Sequence, residues 1–81
     1  MNEVVSLSTI LPGDCVTVYD IVDNGNMNRR LFDIGIIKGA QIKCVGQSMF
    51  GDPKAYRIRG ATIAIREEDG INVLVKKNAE V

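Results

Sequence analysis

The clearest pattern in the sequence is a pair of alternating segments, Ala55-Tyr56-Arg57-Ile58-Arg59 and Thr62-Ile63-Ala64-Ile65-Arg66. Alternation of apolar and polar side chains with a period of two is typical of strands buried on one face. We therefore expect Tyr56 and Ile58 to share one face of the first segment, and Ile63 and Ile65 to form the inward pair of the second. Gly60-Ala61 between the segments predicts a two-residue turn with Gly at its first position. Together these features predict a β-hairpin.

Three further strands are predicted on either side of this hairpin. A β-branched run covers residues 14–22, a second strand covers residues 41–48 with Gly46 as a bulge, and a last strand covers residues 71–75. In the last strand Ile71, Val73 and Val75 are in phase and are expected to face inward.

A short helix is predicted between the first two of these three strands. Met27, Leu31 and Ile34 have the i, i+4, i+7 spacing of one helical face. The preceding polar residues 23–26 end the strand and supply capping groups. Gly35 stands where a left-handed C′ residue belongs, so the helix is expected over residues 27–34. About five strands and one helix in so short a chain predict an all-β, strongly bent sheet that forms a small, partly open barrel.

Length and composition limit the protein to one small domain, expected to span residues 1–81. Ten Lys and Arg residues balance ten Asp and Glu residues, and no apolar run approaches the roughly 18–20 residues that a membrane helix needs. The N-terminus lacks the pattern of a signal peptide, so a cytoplasmic location is expected.

Several kinds of chemistry are disfavoured by missing residues. The sequence has no His, and its two cysteines, Cys15 and Cys44, are far apart and are expected to be buried free thiols. It contains neither of the glycine motifs that bind nucleotides. Its one carboxylate cluster, residues 67–69, is interpreted as a solvated turn because adjacent residues in a tight turn seldom converge on one ion. We predict no enzymatic activity, no cofactor and no metal site.

An ordered set of short motifs resembles the ferrous iron transport protein A (FeoA) family over residues 7–75. No single motif is specific, but their order is. Phe32, Ile34 and Ile65 stand where Leu is common in the family, and these apolar changes conserve volume. The motifs are Leu7-Ser8, Leu11-Pro12-Gly13, Arg30-Leu31-Phe32-Asp33-Ile34-Gly35-Ile36-Ile37-Lys38-Gly39, Gly51-Asp52-Pro53, Tyr56-Arg57-Ile58-Arg59-Gly60 and Thr62-Ile63-Ala64-Ile65-Arg66.

This resemblance implies an SH3-like small β-barrel with one short helix. It also implies a non-enzymatic, cytosolic accessory protein of bacterial ferrous iron uptake, whose partner is the FeoB membrane transporter. Such a protein would bind the cytosolic side of the transporter and alter its conformational or oligomeric equilibrium. Similar domains form interaction modules in iron- and manganese-dependent repressors, so a module of a metal-dependent regulatory system is the alternative.

Charge is unevenly distributed along the chain. Residues 29–66 carry eight Lys and Arg side chains against two Asp side chains, whereas both flanking segments are acidic. Arg29 and Arg30 lie at the start of the predicted helix, where the helix dipole disfavours cations. We hypothesise that Arg29, Arg30, Arg57 and Arg59 contribute to a partner-binding surface; a merely solvated outer face is the alternative.

Met49 and Phe50 are two large apolar residues in a predicted turn. Either they fold back over the end of the barrel, or they form an apolar tip that binds a partner. A nucleic-acid-binding barrel would instead use the basic segment with an exposed aromatic such as Tyr56. A ferrous iron carrier would need ligands that this sequence hardly offers.

Overall fold

The computed structural model describes residues 3–22 and 26–78, with only the backbone considered for residues 26–28. Six strands and three short helical segments are present in this part of the chain. The strands are β1 (Val4–Ser6), β2 (Cys15–Ile21), β3 (Gln41–Gln47), β4 (Lys54–Ile58), β5 (Ala61–Ile65) and β6 (Val73–Lys77). The helices are a 3-10 turn (Leu7–Thr9), α1 (Asn26–Asp33) and α2 (Glu67–Gly70).

All neighbouring strands are antiparallel and form one sheet in the order β1-β6-β2-β3-β4-β5. The sheet is not closed, since β1 and β5 are its two edges. This arrangement confirms the predicted all-β class with a partly open barrel. No helix among the described residues is both long and apolar enough to cross a membrane.

The core is formed by the alternating inward side chains of the central strands. Tyr56 and Ile58 are both buried, as predicted, and the predicted bulge at Gly46 is present as a register shift between β3 and β4. Ile71 is exposed because it lies in the turn before β6, so its predicted inward position is wrong. The buried residues are Leu7, Ile10, Val16, Val18, Leu31, Ile36, Ile42, Cys44, Tyr56, Ile58, Ile65, Val73 and Val75.

The segment before β2 contains structure that the sequence patterns did not predict. β1 pairs with β6, and the 3-10 turn buries Leu7 completely. Two side chains of β4, Tyr56 and Lys54, form hydrogen bonds to the backbone of this segment. The Tyr56 hydroxyl donates to the Leu7 carbonyl oxygen at 3.3 Å. Lys54 Nζ donates to the carbonyl oxygens of Ser8 at 2.6 Å and Ile10 at 2.8 Å. Lys54 therefore stabilises the fold.

The turn between β4 and β5 differs from the prediction by one residue. Ile58 pairs with Ala61, so Arg59 and Gly60 are the two turn residues rather than Gly60 and Ala61. Their φ angles, 52° and 83°, are both positive, as a type I′ turn requires. The twist of this turn matches that of the flanking strands. Arg is not a usual residue in such a turn, and for that reason the sequence predicted the turn at Gly60 and Ala61, one residue later.

Helix α1 spans Asn26–Asp33, one residue earlier than predicted, and ends in a Schellman motif. The Ile36 amide donates to the Leu31 carbonyl oxygen at 2.9 Å, and the Gly35 amide donates to that of Phe32 at 3.0 Å. Gly35 has φ 99°, which confirms its predicted left-handed position. The motif turns the chain so that Leu31 and Ile36 are both buried. The Met27 side chain lies outside the described residues.

Candidate protein-interaction surface

The described side chains of α1 are mostly exposed. Of residues 29–33 only Leu31 is buried, whereas Phe32 is 65% exposed. Phe32 is therefore an exposed aromatic side chain next to the buried Leu31. Exposed aromatic side chains of this kind contribute strongly to protein interfaces. Helix α1 is therefore the first element to consider as a binding surface.

One side of α1 forms a shallow apolar groove with the end of β2, which we call the α1–β2 groove. Its volume is about 510 Å³, and its lining includes the exposed Phe32, the half-buried Ile21 and Ile37, and the buried Ile36. Two cations, Arg29 and Lys38, line its rim. Lys38 Nζ lies 3.6 Å from an Asp20 carboxylate oxygen, whereas Arg29 forms no ion pair with the described residues.

The other side of α1 faces β5 and α2 across a smaller groove of about 170 Å³. Arg30 lies at its rim, with a guanidinium nitrogen 3.6 Å from the carboxylate of Asp69, whose side chain is only 18% exposed. Arg30 also falls in the last turn of α1, where the helix dipole favours a cation. The predicted electrostatic cost of Arg30 is therefore wrong. Arg29 and Arg30 flank different grooves.

Arg57 and Arg59 lie at the β4–β5 hairpin. Arg57 is exposed in the middle of β4. Arg59, also exposed, lies in the turn, where its Cδ is 3.6 Å from the position that a Cβ at Gly35 would occupy. The structure thus brings Arg59 next to the C-terminal end of α1, close to the segment that carries Arg29 and Arg30.

Met49 and Phe50 lie at the tip of the β3–β4 hairpin, beyond the opposite end of β4 from Arg59. Their exposed fractions are 92% and 91%, so the first of the two alternatives, in which they fold back over the barrel, is wrong. The tip and the α1 segment are separated by the full length of β4. The six predicted residues consequently do not form one continuous surface.

The structure also changes the interpretation of residues 67–69 and of Tyr56. Residues 67–69 form the first turn of α2 rather than a simple solvated turn, and the Glu67 amide donates to an Asp52 carboxylate oxygen at 2.8 Å. No three His, Cys, Asp or Glu side chains within residues 3–22 and 26–78 are grouped as metal ligands. Tyr56 is 1% exposed and cannot be the stacking platform proposed for nucleic acid.

The cysteines differ from each other. Cys44 is buried, and its Sγ donates to the Gly46 carbonyl oxygen at 3.7 Å. Burial raises the pKa of the Cys44 thiol. Cys15 is exposed, so the prediction that both thiols are buried is wrong for Cys15. Its strand alternates about Val16 and Val18, and a residue out of phase with them faces outward.

Sequence analysis missed Phe32 and Ile37 as candidate binding residues. The available signal was the helical spacing itself, since Phe32 lies about 100° around the helix from Leu31 and thus off the predicted buried face. A large aromatic residue at such a position indicates an exposed apolar group. Ile37 and Ile21 carry no local signal, because Ile37 follows the Schellman turn and Ile21 ends β2, and only the folded chain brings them to the groove beside Phe32.

The open antiparallel sheet with its short helices defines an SH3-like domain. A structure with this fold is Stenotrophomonas maltophilia FeoA complexed with zinc, described as a prokaryotic SH3 domain protein, with a TM-score of 0.77 and 24% identity. That match covers 86% of this chain and 87% of the other.

The model of the FeoA domain family matches residues 5–77, so the chain belongs to the FeoA domain family. A FeoA-like protein from Clostridium acetobutylicum has a TM-score of 0.90 and 30% identity, covering 100% of this chain and 94% of that one. An iron uptake regulatory protein (FeoA) has a TM-score of 0.84 and 32% identity, covering 94% of this chain and 99% of that one. A search of curated proteins found no match. FeoA is not a known enzyme family.

Proposed function

We propose that this protein is a non-enzymatic accessory domain of bacterial ferrous iron uptake, which acts in the cytoplasm by binding a FeoB-type membrane transporter. The observation that carries the proposal is membership of the FeoA family over residues 5–77. A similar solved structure is named for iron uptake regulation. In this proposal residues 1–81 act as one domain.

The α1–β2 groove is the surface that we assign to the transporter. An exposed ring beside half-buried Ile side chains provides the apolar centre of an interface, and Arg29 and Lys38 provide a cationic rim. The partner surface is therefore expected to be apolar at its centre and acidic at its edge. Arg59 beside the end of α1 adds a further cation near this surface. The Met49–Phe50 tip lies beyond the far end of β4 and is not part of the surface assigned to the transporter.

Modulation of the transporter requires a difference in affinity. A bound domain shifts a conformational or oligomeric equilibrium only if it binds one state more tightly than another. The α1–β2 groove meets this requirement if its complementary surface on the transporter is accessible in one nucleotide state only.

The test is an amide chemical-shift titration of the labelled protein with the cytosolic GTP-binding part of its cognate transporter. We expect shifts centred on α1 and residues 36–38, and we expect Phe32→Ser to weaken binding at least about tenfold. Phe50→Ser is the matched control, since it also removes an exposed Phe but leaves the groove intact. Absence of shifts at high concentration would contradict the proposed partner. Equal losses in both variants would contradict the assigned surface.

A growth assay in iron-limited cells extends the test to function. Cells that lack the native gene should recover ferrous iron uptake with the unmodified chain and with Phe50→Ser, but less with Phe32→Ser. Full recovery with Phe32→Ser, at equal protein levels, would show that the groove is not needed for uptake.

A further inference from the structure

Strand β5 is an edge of the sheet, and its register determines which backbone groups face outward. In a hairpin with a two-residue type I′ loop, the pair that closes the loop exchanges both backbone hydrogen bonds, and such pairs alternate along the ladder. Ile58 and Ala61 are that closing pair. Ala61, Ile63 and Ile65 therefore bond to β4, whereas Thr62 and Ala64 direct their N–H and C=O groups away from it.

These outward groups have no backbone hydrogen-bond partner among the described residues. Thr62 and Ala64 are also exposed, and their side chains are small. An unpaired, accessible strand edge is a template on which an extended segment of another chain can pair. The main-chain part of a binding site is thus present on β5.

Two cations lie on the face of the sheet that carries the exposed side chains of Thr62 and Ala64. Lys43 on β3 and Arg57 on β4 are directly opposite each other, and Arg57 is in turn opposite Thr62 on β5. Both cations are exposed and neither forms an ion pair with the described residues. Like charges directly opposite on neighbouring strands destabilise a sheet. An acidic group beside Thr62 would relieve that repulsion.

The inward side of the same edge borders a groove whose lining combines apolar side chains with the Arg30–Asp69 ion pair. The groove of about 170 Å³ between α1 and β5 is lined by Leu31, Ile34 and Ile63 among others. A strand added next to β5 would place its outward side chains opposite Thr62 and Ala64, and the intervening side chain would point toward this groove. The two faces of the edge therefore demand different side chains.

We propose that β5 binds an extended segment of a protein partner by strand addition, with an apolar side chain opposite Ile63 and an acidic side chain opposite Thr62. The acid opposite Thr62 lies about 10 Å from the Arg57 strand position, two strand spacings away, so a carboxylate and the long Arg57 side chain can meet. The apolar side chain fills the groove beneath. This site is distinct from the α1–β2 groove, and it does not depend on which protein supplies the segment.

The test uses two synthetic peptides with blocked ends, one of alternating Glu and Leu and one of alternating Lys and Leu. Each is titrated into the labelled full chain, and amide shifts and hydrogen exchange are recorded. We expect the Glu peptide to shift the amides of Thr62 and Ala64 and to slow their exchange at least about tenfold. We expect the Lys peptide to do neither.

Two variants separate the backbone and charge contributions. Ala64→Pro removes one outward N–H without removing a β4–β5 hydrogen bond, and it should weaken binding of the Glu peptide at least about tenfold. Arg57→Glu leaves the edge intact but reverses the charge, so it should weaken the Glu peptide and strengthen the Lys peptide. Arg29→Glu, on the far side of α1, is the matched control and should change neither affinity.

Three results would overturn the proposal. They are no response at β5 with millimolar Glu peptide, equal binding of both peptides, or shifts confined to β1 or to the α1–β2 groove. Because the assay contains no transporter, failure here leaves the proposed function standing. Conversely, if the transporter domain does not bind in its own titration, the proposal of peptide binding at β5 still stands.

Discussion

Tyr56 links the stability of this fold to alkaline pH. Its ring is in the core, and its hydroxyl donates to the Leu7 carbonyl oxygen at 3.3 Å. Burial, with smaller contributions from the charges of Cys44 and Asp52, raises the pKa of Tyr56 from 10.0 to about 12. The folded state therefore holds the phenol proton over a pH range in which the unfolded chain releases it.

The raised pKa gives the direction and size of the effect. The stability due to neutral Tyr56 is fully present below about pH 10 and is lost as pH rises toward about 12. Within that window each pH unit removes about 1.4 kcal/mol of unfolding free energy, so the loss is about 1.4 kcal/mol by about pH 11.

The matched perturbation is Tyr56→Phe, which keeps the ring and removes the hydroxyl. At about pH 8 this variant should be less stable by about 1 kcal/mol, because the Leu7 carbonyl loses its partner. At about pH 11 the order should be equal or reversed, since only the unmodified protein has lost the Tyr56 contribution.

Urea unfolding of both proteins at the two pH values measures the difference. The Cys44 thiol, whose pKa is also raised by burial, is present in both proteins. Tyr19→Phe is the control, because it removes the hydroxyl of an exposed tyrosine that lies outside the core. A stability difference between the Tyr56→Phe variant and the unmodified protein that stays constant from about pH 8 to about pH 11 would refute the reasoning.

Two further predictions concern a close approach and a pair of thiols. Gly35→Ala should destabilise the protein by about 1 kcal/mol more than Gly39→Ala in urea unfolding. Both glycines have positive φ, but only at Gly35 would an added Cβ lie 3.3 Å from a side-chain atom, Ile58 Cγ2. Equal losses of stability would contradict this account. Cys15 should be alkylated in the native protein, as seen by mass spectrometry, whereas Cys44 should react only on unfolding; simultaneous modification would show that Cys44 is accessible.

The parts of the fold that were predictable from sequence have local causes. The alternation around Tyr56 and Ile58 places both in the core, and Gly35 alone marks the end of α1. Strand β1 has no such signal. It is three residues long, and it exists because Val5 pairs with Val75 at the far end of the chain. Pairing over such a separation follows from the assembled sheet and leaves no periodic pattern in three residues.

Charge summed along a segment proved a weak guide to the candidate surface. Among the cations of residues 29–66, Lys54 stabilises the fold through two backbone carbonyls, Arg30 faces Asp69, and Lys38 faces Asp20. Their roles depend on residues distant in sequence, which only the folded chain brings near. Segment composition counts these side chains as free, although three of them already have partners.

The informative cations are therefore those that form no ion pair among the described residues. Three of them lie on different sides of α1. Arg29 borders the α1–β2 groove, whereas Arg57 and Lys43 lie on the sheet face next to the β5 edge. A partner that neutralised both places would have to present acidic groups on two sides of the helix. Because substitutions at separated sites without shared contacts add, losses of binding from Arg29→Glu and Arg57→Glu should be additive if one partner occupies both surfaces. A loss for one ligand confined to one of these variants would instead assign the two surfaces to different partners.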